Sequence, residues 1–236
     1  MTKRVTRAKK IVDDEYVPSH FGESSPFPIK VRPLVPKGEK QKEYLSAIEN
    51  FRIVFATGPS GVGKTWLAVA WAADMLKSGK IQKILITRPA VEVGETLGFL
   101  PGELQEKFSP YLTPVIEVLN ERLGKSFVDL LIKSGRIEAT PIGLLRGRSI
   151  NDTFILVSES QNSTPVQMKM MLTRIGYNST MVVEGDLKQQ DTTGRSGLQD
   201  AIEKISFIPT VKIINFGKED IVRSGIVAEI VEAYEG

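Results

Sequence analysis

The densest chemistry in the chain lies in eight consecutive residues: Gly58, Pro59, Ser60, Gly61, Val62, Gly63, Lys64 and Thr65. They fit G-x-x-x-x-G-K-[ST], a spacing with a mechanical reason. Glycines allow backbone torsions and close approaches that a Cβ forbids. Successive N–H groups then turn inward on phosphate oxygens, and a helix opening at the loop adds its positive end. Lys64 is placed to reach β- and γ-phosphates, and the Thr65 hydroxyl to ligate Mg²⁺. The flanks match. RIVFA at 52–56 reads as a buried strand, and 66–77 sets Leu67, Ala70, Trp71, Asp74 and Met75 at helical spacing before a Ser78-Gly79 stop. The expectation is an ATP- or GTP-binding loop; a glycine-rich turn without a ligand has no need of that strand and helix.

A loop of this kind works with a second apolar strand ending in an acid that helps to hold Mg²⁺. The candidate is Phe154-Ile155-Leu156-Val157-Ser158-Glu159-Ser160-Gln161-Asn162, whose first acidic position is Ser158. A serine hydroxyl can hydrogen-bond a metal-bound water but carries no charge. Glu159 keeps a carboxylate able to orient and deprotonate an attacking water, and Gln161 is suited to sense a γ-phosphate. Thr65, Ser158 and Glu159 are therefore the expected metal environment, with slow turnover as the consequence of Ser158. Alternatively, 154–162 is an ordinary strand and turn and the acid lies elsewhere, the best case being Glu184-Gly185-Asp186.

Around these motifs the chain alternates strand and helix. Further buried-strand candidates are KILIT at 83–87, TMVVE at 180–184 and VKIINF at 211–216; helices are expected at about 165–175 and 220–234. The stretch 103–148 reads as mostly helical, broken by Pro110, Pro114 and Gly124. Continuous apolar strands separated by helices predict an α/β domain with a parallel sheet covered on both faces. The 236 residues are 41% hydrophobic and 25% charged, ordinary for a globular chain and long enough for one core. Cysteine is absent and His20 is the one histidine. That excludes disulfide scaffolds, thiolate catalysis, Cys-ligated metal sites and His-based triads. No apolar run approaches the ~20 residues of a membrane span. MTKRVTRAKK has no apolar stretch behind it to make a secretory signal, so no membrane and a cytoplasmic setting are expected.

Residues 1–36 contain Pro18, Pro26, Pro28, Pro33 and Pro36 and read as an extended arm, with 37–236 as the domain. Lys3, Arg4, Arg7, Lys9 and Lys10 make the start of the arm basic. It is either a phosphate grip or a solvated flexible terminus. The net charge of +3 is too small to imply nucleic-acid binding by the whole chain.

These residues resemble the PhoH-like family, phosphate-starvation-inducible P-loop ATPases related to superfamily 1 helicases, of which short forms occur in bacteriophages. Besides GPSGVGKT, the resemblance rests on TRPAVEVGETLGFLPGEL (87–104), IGLLRGRSINDTFILVSESQN (142–162), MKMMLTRIG (168–176), EGDLKQQD (184–191), RSGLQDA (195–201) and IVRSGIVAEIVEAYE (221–235). The departure is Ser-Glu-Ser-Gln-Asn where the family has Asp-Glu-Ala-Gln-Asn, which bears on hydrolysis and not on fold. The resemblance implies a three-layer RecA-like P-loop NTPase core with a mostly parallel sheet, ATP and Mg²⁺ as ligands, and a setting in host cytoplasm if phage-encoded. It also gives Gln41 as a reader of the adenine edge (the alternative being a solvated helix-start glutamine), Asp186 and Gln189 as couplers of the γ-phosphate to movement, and Arg88 as a contact to phosphate or nucleic acid.

Phosphoryl transfer from such a loop needs an arginine near the leaving charge, and one core has one face beside the nucleotide. Supply from a neighbouring subunit in a head-to-tail ring meets the need. Arg174, Arg195 and Arg223 are the candidates, each with a surface ion pair as its plain alternative, and the resemblance points to hexamers. For RNA or single-stranded DNA the positive groups are Arg146, Arg148 and the arm; Trp66 and Trp71 are expected to pack in the core. The leading expectation is an ATPase acting on RNA or single-stranded DNA. Beside it stand an ATP-binding assembly module with little hydrolysis, favoured by Ser158, and a small-molecule kinase, disfavoured by the lack of a lid arginine cluster.

Overall fold

The computed structural model describes residues 31, 33–89 and 112–222. A compact unit begins at Leu34. Its elements are α1 (Glu39–Asn50), β1 (Ile53–Thr57), α2 (Lys64–Lys77), β2 (Lys83–Thr87), α3 (Thr113–Leu123), α4 (Lys125–Lys133), β3 (Ile137–Ala139), β4 (Thr153–Val157), α5 (Pro165–Leu172), β5 (Thr180–Gly185), α6 (Gly197–Ile205) and β6 (Val211–Asn215).

All six strands pair in parallel, in the order β3-β2-β4-β5-β1-β6. The strands read as unbroken apolar runs because both faces are covered. One face carries Val54, Ala56, Ile84, Ile86, Phe154, Leu156 and Val182 against α1, α2, α3 and α4. The other carries Phe55, Leu85, Ile155, Val157 and Val183 against Met168 and Met171 of α5 and Leu198 and Ala201 of α6. The order interposes β5 between β1 and β4, so the loop after β5 lies between the other two strands' loops at the C-terminal edge, where open parallel sheets bind ligands.

The four strands expected at 52–56, 83–87, 154–157 and 180–184 are present within a residue, as is β6. The expected helix at 165–175 ends at Leu172, because Ile175 leaves it to bridge Ile150. Within 103–148 the described part is helical in α3 and α4 but then turns into β3 at the sheet edge, paired with β2. Helices α1 and α6 have no counterpart among the elements expected from the sequence. In α1 the buried positions Gln41, Tyr44, Ala47 and Ile48 begin with a polar residue, and α6 is short and opens on Gly197. The arm, the stretch 90–111 and the helix expected at 220–234 fall almost wholly outside the described residues. Among the described residues no helix is long and apolar enough to cross a membrane.

Candidate nucleotide site

The loop 58–65 joins β1 to α2, as its flanks require. Gly58, Gly61 and Gly63 all take positive φ. Gly63 is the N-cap of α2 in the left-handed region, with no side-chain cap to close the helix start. The first turn of α2 therefore turns its N–H groups toward the loop, an arrangement suited to an anion. A Cβ on Gly63 would come within 3.1 Å of the Gln41 amide.

That amide is buried (5% exposed). Its Nε2 donates to the Val62 carbonyl at 2.9 Å, and its Oε1 accepts from the Lys37 N–H at 2.8 Å. Gln41 is thus no solvated glutamine: both ends of its amide hold backbone, one of them the loop itself. Lys64 lies over the loop and donates from Nζ to the carbonyls of Gly58 (2.6 Å) and Pro59 (2.8 Å). Burial lowers its pKa, while the carboxylates of Glu184, Asp186 and Glu159 raise it. Three acids therefore face this ammonium.

One of the three touches the loop's threonine. The Thr65 hydroxyl donates to Glu184 Oε1 at 2.7 Å. Glu184 is 3% exposed, and its Oε2 is buried without a partner. Burial pushes this carboxyl up to about 7, opposed by the Thr65 bond and Lys64 and reinforced by Glu159. An orphaned carboxylate oxygen beside a threonine hydroxyl is a donor set that fits Mg²⁺, which takes few protein oxygens and completes its shell with phosphates and water. Among the described residues no group of three or more acids or histidines could hold a metal without such help.

Ser158 follows β4, half-buried, with its N–H on the Thr87 carbonyl at 2.9 Å. Val157 pairs with Val183, so position 158 is level with Glu184. Glu159, the next residue, is exposed and left-handed at φ 51°, an uncommon conformation for a non-glycine residue at a strand end. Gln161 ties the two loops together. Its Nε2 donates to Glu159 Oε2 at 2.7 Å, and its Oε1 accepts from the Asp186 N–H at 3.2 Å. A Cβ on Gly185 would lie 2.5 Å from that same Oε1. Asn162 adds a second clasp, donating to Asp191 Oδ2 and accepting from the Asp191 N–H. Sequence reasoning misses this amide clasp; the paired polar strings SESQN and EGDLKQQD are its only trace.

Asp186 is buried and caps its own turn, accepting from the Lys188 N–H at 3.0 Å. Gln189 is exposed, with its carbonyl 3.4 Å from Gln161 Nε2. A cleft of about 320 Å³ opens beside Thr65, lined by Trp66, Pro114, Glu117, Val118 and Glu121. Trp66 and Trp71 pack against the core, as expected.

Arg174, Arg195 and Arg148 are held by partners outside this cluster. Arg174 donates to the carbonyls of Met170 and Arg148, and its own carbonyl accepts from the Ile150 N–H. It therefore sits where β4 begins, at the opposite end of the sheet from its own loop. Arg195 is paired with Asp200 and Glu203 of α6. Arg148 holds Glu138 with two bonds and Lys83 holds it with a third, so its charge is neutralised in place; Arg146 is exposed. Arg88 follows β2 at the ligand edge of the sheet. Arg223 lies outside the described residues.

A family model described as PhoH-like protein matches residues 33–235. The chain is 43% identical over 223 residues to a PhoH-like protein of Bacillus subtilis (strain 168), covering 94% of this chain and 70% of that one. It is 43% identical over 206 residues to Protein PhoH of Escherichia coli (strain K12), covering 86% of this chain and 58% of that one. Among solved structures, the large terminase of a thermophilic bacteriophage superposes with a TM-score of 0.51 at 10% identity, over 84% of this chain and 50% of that one. That likeness is one of fold.

Proposed function

Because the chain belongs to the PhoH-like family, we propose that this P-loop NTPase binds ATP and couples its hydrolysis to binding or remodelling RNA or single-stranded DNA in an oligomeric ring. The observation that carries the reading is the convergence of Lys64, Thr65, Glu159 and Gln161 from the loops after β1 and β4 onto one end of the sheet. In this reading the loop N–H groups and Lys64 take the phosphates, with Lys64 exchanging its two loop carbonyls for phosphate oxygens. Thr65, Ser158 and Glu159 form the surroundings of Mg²⁺, which when bound neutralises charge on the β- and γ-phosphates. Glu159 orients and deprotonates water, and Gln161 relays the presence of a γ-phosphate to Asp186 and Gln189 through the clasp.

The transition-state arginine comes from a neighbour, since Arg174 lies at the opposite end of the sheet and Arg195 is paired with Asp200 and Glu203; Arg223 remains a candidate by sequence. The ring is a hexamer and the compartment the cytoplasm. A second reading, an ATP-controlled assembly module with little turnover, has the uncharged Ser158 in its favour.

Steady-state ATPase assays with and without single-stranded RNA separate the two. Stimulated turnover is expected; tight ATP binding without turnover under either condition selects the second reading. Light scattering with and without nucleotide is expected to give a hexamer in at least one state, and a monomer in both removes the shared arginine.

A further inference from the structure

We infer that Glu184 supplies the anionic side chain for the divalent cation of the bound nucleoside triphosphate, in place of the acid that β4 lacks at Ser158. The inference rests on the nucleotide site proposed above and assigns one of its ligands to a different strand.

Three observations carry it. First, the Glu184 carboxylate already meets the hydroxyl assigned to the cation, Thr65 Oγ1, at 2.7 Å. Second, its other oxygen, Oε2, is buried and bonds to nothing, although burying a carboxylate oxygen without a partner is costly. The nearby Tyr44 hydroxyl, which feels the Glu184 charge, is equally buried and does not bond to it. Third, the register makes the exchange possible. Position 158 follows the Val157–Val183 pair, so it neighbours Glu184 across strands about 4.8 Å apart. Side chains level with each other on parallel neighbours share a face. Here that face is the one bearing Ala56, Leu156, Val182 and α2, the helix that opens with Thr65. A carboxylate displaced by one strand therefore stays on the side of the sheet where the cation belongs.

A purely structural reading also exists: Glu184 as a strut tying β5 to α2. Glu184→Gln separates the two, because the amide oxygen still accepts from Thr65 while the charge is gone. The probe is the non-hydrolysable analogue AMP-PNP, titrated calorimetrically with EDTA and then with Mn²⁺, on the full chain. Wild type is expected to bind AMP-PNP more tightly with Mn²⁺. In Glu184→Gln, binding in EDTA should stay close to wild type while the gain from Mn²⁺ falls by about tenfold or more. The double variant Glu184→Gln/Ser158→Asp should recover that gain. Retention of the full Mn²⁺ gain by Glu184→Gln makes Glu184 a strut and overturns the inference. No AMP-PNP binding by wild type with or without metal instead sinks the nucleotide site itself. Should Glu184→Gln fail to fold, Mn²⁺ spectroscopy of the Glu159→Gln chain labelled with ¹³C-carboxyl glutamate decides. With AMP-PNP bound, a ¹³C hyperfine coupling supports the assignment and its absence overturns it.

Discussion

Gln41 shows how one side chain can hold a binding loop through its backbone. Its amide closes a short bridge between the Lys37 N–H and the Val62 carbonyl, and Gly63 leaves the room that the amide fills. Each end of the amide keeps a second hydrogen or lone pair that an adenine edge could use, but the two bonds it makes here serve the loop whichever base is bound. Gln41→Ala should therefore weaken ATP and GTP binding by similar factors and cost about 1–2 kcal/mol in stability, through a buried Val62 carbonyl and a partly buried Lys37 N–H left unpaired. Competition binding with both nucleotides checks this, and a selective loss of ATP would return Gln41 to the base. Gly63→Ala should be more severe for binding, since it adds strain at φ +87° and a Cβ against that amide.

Helix placement depends on a few buried polar contacts between elements. Arg122 of α3 is 4% exposed and holds Asp74 of α2 with two guanidinium bonds, one at 3.1 Å from Nε. Removing one partner of such a pair leaves the other charge stranded, although Asp74 keeps some contact with water. Arg122→Ala should lose about 2–3 kcal/mol in urea unfolding, and Arg122→Lys should recover little, because an ammonium lacks the fork that fits a carboxylate. A loss below about 0.5 kcal/mol, the range of ordinary surface changes, would mean that the packing of Val115, Val118 and Leu119 seats α3 without the pair.

For the whole domain, pH tests how the sheet's far edge is tied down. Glu138 on β3 bonds Arg148, Lys83 on β2 and Thr140. The Arg148 bond above all, with help from Lys83 and Thr140, takes its pKa from 4.5 down to about 2. A folded-state value below the unfolded one means that the carboxylate stabilises the fold above about pH 4.5, and that this is lost as pH falls toward 2. The contribution is roughly 1–2 kcal/mol after allowance for solvent at a partly exposed cluster. Glu138→Gln should lower stability at neutral pH and flatten its decline across that window; an unchanged slope would move the acid-sensitive contact elsewhere.

Much of this molecule is local and can be read along the chain. Apolar strands buried on both faces announce themselves as continuous runs, so β1, β2, β4, β5 and β6 are legible. The phosphate loop is legible too, because its eight residues need only a strand before them and a helix after. Edge strand β3 has three residues and the buried face of α1 begins with Gln41, so neither carries a period strong enough to see, whereas α6 does set Leu198, Ala201, Ile202 and Ile205 at helical spacing within its nine residues. The clasp of Gln161 with Asp186, the bond from Gln41 to the loop and the meeting of Thr65 with Glu184 join residues 25, 21 and 119 positions apart. Nothing in one dimension orders β5 between β1 and β4. That order is set by how the crossover helices pack on the two faces, and it brings a buried carboxylate to the threonine of the loop.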